Sequence, residues 1–159
     1  MASSAERSVS VWRLCKRRHA AFDGEGARLA GGRWNRRGTA VVYASETLAL
    51  AALELLVHAD PGLLPEDFVA IPAELPEALA ATRVEADDLP RSWRRYPAPE
   101  SLARIGTDWA QQGKSAVLWV PSALIPRERN VLLNPAHHDF SRIRIGAPER
   151  FALDPRLIR

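Results

Sequence analysis

The chain has 159 residues, 47% hydrophobic and 26% charged, which is ordinary for a folded globular protein and long enough to bury one core. No apolar run reaches the roughly 18 residues a membrane helix needs, and a single cysteine, Cys15, excludes an internal disulfide and a cysteine-built zinc cage. The net charge of +3 is unevenly placed: residues 1–37 hold nine basic and three acidic side chains, a net of +6, against thirteen and sixteen in the rest, a net of −3.

The opening MASSAERSVSVWRL lacks the apolar core of a secretion signal, so the expectation is a cytoplasmic protein with one domain over residues 1–159. Residues 8–14 alternate as a strand, with Val9, Val11 and Arg13 on one side. Residues 16–37 form a basic segment with four glycines and are predicted as loop. Residues 40–44 read as a short buried strand. Ser45 is the expected cap of a helix over 46–59, which stops at Asp60-Pro61-Gly62. Strands are predicted at 68–71, cut by Pro72, and at 81–85. A helix is predicted over 99–112, ended by Gly113, with strands at 115–120, 130–133, 141–145 and 150–153. Strands and helices do not alternate regularly, so the fold class is α+β, a small mixed-sheet core flanked by helices.

The helix over 46–59 carries one carboxylate in an apolar run. Thr47, Glu54 and His58 fall within roughly 20° of one another on the helical wheel, and leucines cover most of the remaining circumference. The helix is therefore expected to be buried, with one polar stripe facing a cleft. Two readings of Glu54 stay open on spacing alone: a core carboxylate paired with an arginine or with His58, or a site carboxylate. The segment before it favours a site. Gly31 and Gly32 let the backbone approach a ligand, Arg33 follows at once, and Tyr43 ends the strand before the helix. Arg33, Tyr43 and Glu54 supply a phosphate fork, an aromatic face and a negative charge, which suits a dinucleotide with a glycosidic bond to break. Twenty of the 22 basic residues are arginines, the better phosphate ligand.

Other chemistries find less support. No GxGxxG follows a strand, no GxxxxGK[ST] loop exists, and Ser122 lacks a Gly-x-Ser-x-Gly setting. His137-His138-Asp139 reads as a polar loop, since adjacent side chains point apart, and no metal is expected. Cys15 reads as a buried structural thiol.

GGRWNRRGTAVVYASETLALAALELLVH (31–58) and WVPSALIPRERNVLLNPAHHDF (119–140), with VWRL at the start, resemble the RES-domain family, the toxin halves of Xre–RES toxin–antitoxin pairs. The likeness spans nearly the whole chain. It implies an ADP-ribosyltransferase-like fold and an enzyme that consumes NAD+ by hydrolysis or phosphorolysis of the nicotinamide–ribose bond. Residue by residue it implies Arg33, Tyr43, Glu54 and Ser122 as catalytic, with Arg13, Arg33, Tyr43 and Ser122 binding NAD+ as substrate. Glu54 would stabilise the developing ribose cation or hold a ribose hydroxyl. Arg33 and Arg13 would clamp the pyrophosphate, Tyr43 would stack on nicotinamide or ribose, and Ser122 would contact the nicotinamide side or orient Glu54. The implied partner is an Xre-type helix-turn-helix antitoxin covering the cleft, in a complex that includes a homodimer, with little direct nucleic-acid contact and no membrane. The alternatives are transfer of ADP-ribose to a protein and a non-enzymatic nucleic-acid-binding module. Trp34 is the candidate stacking residue for the last of these.

Overall fold

The fold is taken from a computed structural model that describes residues 6–59 and 67–158. Its elements are β1 (Ser8–Lys16), α1 (Glu25–Ala30), β2 (Val42–Ser45), α2 (Leu48–His58), β3 (Phe68–Pro76), β4 (Ala81–Arg83), α3 (Glu100–Gln112), β5 (Val117–Pro121), β6 (Arg129–Leu133), β7 (Arg144–Ile145) and β8 (Glu149–Phe151). The strands form one sheet in the order β4-β5-β6-β2-β1-β3-β7, with β8 also on β3. Only β4 and β5 run parallel, so the sheet is mixed and the α+β reading holds. Among the described residues no helix is long and apolar enough to cross a membrane.

Alternation along the central strands divides their side chains between two apolar clusters. Val42, Val117, Val131 and Leu133 join Val11 and Ile143. Val41, Leu118, Val120 and Leu132 pack with Leu102 and Trp109 of α3 and with Trp34 and Trp93 from loops. Gly106 permits the close approach of α3 to the loop, because a Cβ there would collide with the Trp34 carbonyl oxygen. The left-handed Gly113 (φ 63°) ends α3, and its N–H returns to the Trp109 carbonyl.

Several boundaries differ from the sequence reading. Residues 25–30 are helical inside the predicted loop, where Asp23 accepts from the Glu25 N–H and Arg28 pairs with Glu25. Ser45 belongs to β2. Thr47 caps α2, accepting from the Leu50 N–H at 3.1 Å, because its backbone is extended there and its hydroxyl faces the first turn. Pro72 does not cut β3. Its carbonyl accepts from Gly146 N–H at 2.7 Å, so its missing N–H faces the same outer edge, where the neighbour changes from β8 to β7. Helix α2 is less buried than expected: Leu50 and Ala51 are enclosed, whereas Leu53 and Val57 are 43% and 55% exposed. It lies on the sheet by one face only. The proposed helix stop, Asp60-Pro61-Gly62, lies outside the described residues.

Strands β1 and β2 are in register at a single pair, Trp12 with Ser45, while β1 and β3 pair over nine. Beyond Trp12 the guanidinium of Arg13 bridges towards β2, with Nη1 3.4 Å from the Tyr43 carbonyl.

Candidate functional site

A cleft of about 1150 Å³ is lined by residues of β1, β2, α1 and α2, including Arg13, Tyr43, Ser45 and Glu54. Arg33, Tyr96 and Asn130 complete the wall around Glu54. This volume lies just above the usual range for small-ligand sites and is ample for a dinucleotide.

Glu54 is half-buried on α2 and faces this cleft. Its Oε1 accepts two hydrogen bonds, from Ser122 Oγ at 2.7 Å and from Asn130 Nδ2 at 2.7 Å. Among the described residues Oε2 has no hydrogen-bond donor and Glu54 has no salt bridge, so the ion-pair reading of this carboxylate finds no partner there. The carboxylate is held by neutral donors on one oxygen, with the other oxygen left over. Ser122 has no exposed surface, and its hydroxyl accepts from the N–H groups of Leu124 and Ile125 at 3.1 Å each. Of the two roles considered for Ser122, orienting Glu54 is the one this geometry accommodates.

Arg33 is fixed from behind. Its Nη1 donates to the Trp93 carbonyl at 2.8 Å and the Arg95 carbonyl at 3.1 Å. Burial pulls its pKa below the ordinary arginine value, opposed first by the charge of Glu54 and then by Tyr43 and Tyr96. Arg33 and Glu54 line the same cleft. Arg13 also lines the cleft, with Nη2 3.4 Å from the His19 carbonyl and a buried Nε that has no hydrogen-bond partner among the described residues.

Tyr43 has a structural task in its hydroxyl that the sequence did not indicate. Its hydroxyl donates to Asn35 Oδ1 at 2.7 Å and accepts from the Trp34 N–H at 3.1 Å. Burial holds its pKa well above the ordinary tyrosine value, against the opposing Trp34 hydrogen bond and the charge of Arg33. Its ring lines the cleft while its hydroxyl locks the loop that carries Arg33. Gly32 serves the same lock: a Cβ there would meet the Tyr43 hydroxyl at 2.8 Å. Asn35, 1% exposed, also spends its amide N–H groups on the carbonyls of Ala27, Arg36 and Thr39.

Two residues the sequence reading left without a role enter here. Asn130 grips Glu54, and Tyr96, 79% exposed, stands at the cleft with its ring 6.0 Å from that of His58. Asn130 sits opposite Ser45 in the β2–β6 ladder, a signal that needs the register. Trp34 is 2% exposed and unavailable for stacking on bases. His137 and His138 do not point apart; their rings stack at 4.3 Å beside Asp139. The Asp139 N–H bonds His137 Nδ1 at 3.0 Å, which ties that nitrogen into a turn. Cys15 is buried and donates weakly to the His19 carbonyl; desolvation, offset in part by Arg13, raises its pKa, as suits an unreactive thiol.

A family model described as RES domain matches residues 10–154. The "Prs ADP-ribosylating toxin" of a Sphingobium species is 40% identical over 158 residues, covering 96% of this chain and 98% of that protein. A "Toxin Res" of Yersinia enterocolitica is 38% identical over 152 residues, covering 94% and 99%. Among solved structures, the M. tuberculosis MbcT–MbcA toxin–antitoxin complex contains a chain similar in fold, with a TM-score of 0.73 at 18% identity over 96% of this chain and 88% of that one.

Proposed function

The chain belongs to the RES-domain family, and from that premise we propose that it is the toxin of a toxin–antitoxin pair and cleaves the nicotinamide–ribose bond of NAD+. The observation that carries the reading is the Glu54 carboxylate, fixed through Oε1 by Ser122 and Asn130 on the wall of a dinucleotide-sized cleft that Arg33 also lines.

In this reading Arg33 and Arg13 take the pyrophosphate. Arg33 keeps Nε and Nη2 for it, and Arg13 lines the same cleft. The Tyr43 ring supports the nicotinamide–ribose portion. As the C1′–N bond breaks, its electron pair passes to the nicotinamide nitrogen, which leaves neutral, and positive charge develops on the ribose. The free Oε2 of Glu54 stabilises that charge or holds a ribose hydroxyl. Oxygen from water or phosphate then bonds C1′, and its proton goes to solvent.

A second reading, transfer of ADP-ribose to a protein, is favoured by one observation: the 40% identical Sphingobium relative is named an ADP-ribosylating toxin. Mass balance with NAD+ labelled in the adenylate separates the two. Cleavage leaves free ADP-ribose or its phosphate beside nicotinamide; transfer fixes the label to protein. Glu54→Gln should lower turnover on the order of 100- to 1000-fold, the usual effect of removing one charge-stabilising group, at unchanged melting temperature. A normally folded Glu54→Gln variant that still consumes NAD+ at the wild-type rate would overturn the assignment. The antitoxin is proposed to be of Xre type and to cover the cleft, with the DNA contacts its own.

A further inference from the structure

The hydrogen bonds at Glu54 continue outward through a second asparagine oxygen. Ser45 Oγ lies 2.6 Å from Asn130 Oδ1, and Asn130 Nδ2 lies 2.7 Å from Glu54 Oε1. Chemistry fixes the direction of this chain. An amide oxygen only accepts, so the Ser45 hydroxyl donates; an amide nitrogen only donates, and a carboxylate oxygen accepts. The order is therefore Ser45 to Asn130 to Glu54, and the Glu54 end fixes it, because reversing the amide would set the Asn130 oxygen against a carboxylate oxygen.

The backbone makes the chain rigid. Ser45 and Asn130 are direct partners in the antiparallel β2–β6 ladder, so their side chains rise from the same face at fixed spacing. Ser45 is 4% exposed, so its hydroxyl has little access to water. It is not free to cap α2, since Thr47 does that. A polar hydroxyl buried in a strand between Ala44 and the start of a helix has a clear task only through Asn130.

We propose that Ser45 and Asn130 form a positioning pair that, with Ser122, saturates Oε1 of Glu54 and so dedicates Oε2 to the substrate. Neither residue supplies chemistry. They set the rotamer of the one carboxylate that the proposed reaction uses, and the inference rests on that reading of Glu54. It makes a strand residue, Ser45, matter to turnover through two successive hydrogen bonds.

The test uses purified full-length chain and NAD+, with wild type and Glu54→Gln as references. Ser45→Ala and Asn130→Ala should each lower kcat at least tenfold with KM within about twofold and melting temperature nearly unchanged, and Ser45→Thr, which keeps the hydroxyl, should restore most of kcat. Asn130→Asp carries a sharper signature. It replaces the donor by a second carboxylate 2.7 Å from Glu54 Oε1 in the parent geometry, so a shared proton is needed to hold the pair. Its activity relative to wild type should rise as pH falls from 8 to 5.5. A kcat within twofold of wild type in both alanine variants, or a loss that tracks melting temperature and is not rescued by Ser45→Thr, overturns the pair. Wild type that leaves NAD+ intact sinks the proposed reaction instead, and the pair is then judged by nuclear magnetic resonance. The Asn130 side-chain amide protons should shift in both Ser45→Ala and Glu54→Ala; amide resonances indifferent to both would overturn it.

Discussion

At the scale of single residues, Arg33 and Tyr43 show how one loop is built to hold a charge. The guanidinium spends Nη1 on two carbonyls of the 93–95 segment, and the Tyr43 hydroxyl ties Trp34 and Asn35, the two residues after Arg33. Arg36 instead pairs at the surface with Glu100, and Arg37 is exposed. Arg33→Ala should therefore raise KM for NAD+ at least tenfold, with Arg36→Ala and Arg37→Ala within about twofold; equal losses at all three would point to diffuse attraction. Tyr43→Phe keeps the ring but strands the Trp34 N–H and the Asn35 oxygen, at a cost of about 1–3 kcal/mol in stability. Urea unfolding of that variant checks it, and a wild-type midpoint would free the hydroxyl from its structural role. The residue types of this loop were legible in the sequence, as Gly-Gly-Arg-Trp-Asn before a tyrosine. The assignment of the glycine pair to ligand approach was not the whole of it. Gly32 makes room for a tyrosine hydroxyl, which only the fold brings back to it.

At the scale of elements, α3 is located by its contact with the loop it braces. Thr107 on α3 accepts from the Arg36 N–H at 2.9 Å, and Gly106 lies against the Trp34 backbone. Gly106→Ala should push α3 from the loop, reducing stability and NAD+ affinity together, although alanine is the better helix former by about 1 kcal/mol. Calorimetry and a binding isotherm read the two losses; an unchanged or higher melting temperature would contradict the close approach. Helices α2 and α3 were predicted within two residues at each end, because their apolar period and stop signals agree. The short α1 was hidden by the glycines around it, and its start is supplied by Asp23. Strand β3 was predicted short because a proline argues against a central strand. Its missing N–H is harmless only at an edge whose neighbours, β7 and β8, come from the far end of the chain. Asn130 was similarly invisible: its partner Ser45 is 85 positions away, and sequence spacing carries no register.

At the scale of the whole molecule, the cleft and the exposed groups at its edge are the surface that the proposed antitoxin would cover. Tyr96 and Leu29, 79% and 62% exposed, line that cleft with Arg33, so a carboxylate-bearing segment flanked by apolar side chains would match its chemistry. Adding the antitoxin should abolish NAD+ binding and turnover in proportion to the complex formed, read by calorimetric competition. A tight complex that still turns over NAD+ at the free rate would rule out occlusion. The same cleft has a mechanical side. Between β1 and β2 the ladder has a single rung, and the seam dividing β1, β3, β7 and β8 from β2, β4, β5 and β6 is closed mainly by side chains: Arg13 reaching the Tyr43 carbonyl and Val11 packed with Val42. Arg13 belongs to the first side; Ser45 and Asn130, the latter hydrogen-bonded to Glu54, belong to the second. A ligand that touched both Arg13 and Glu54 would span that seam, adding a link where the backbone ladder has one rung.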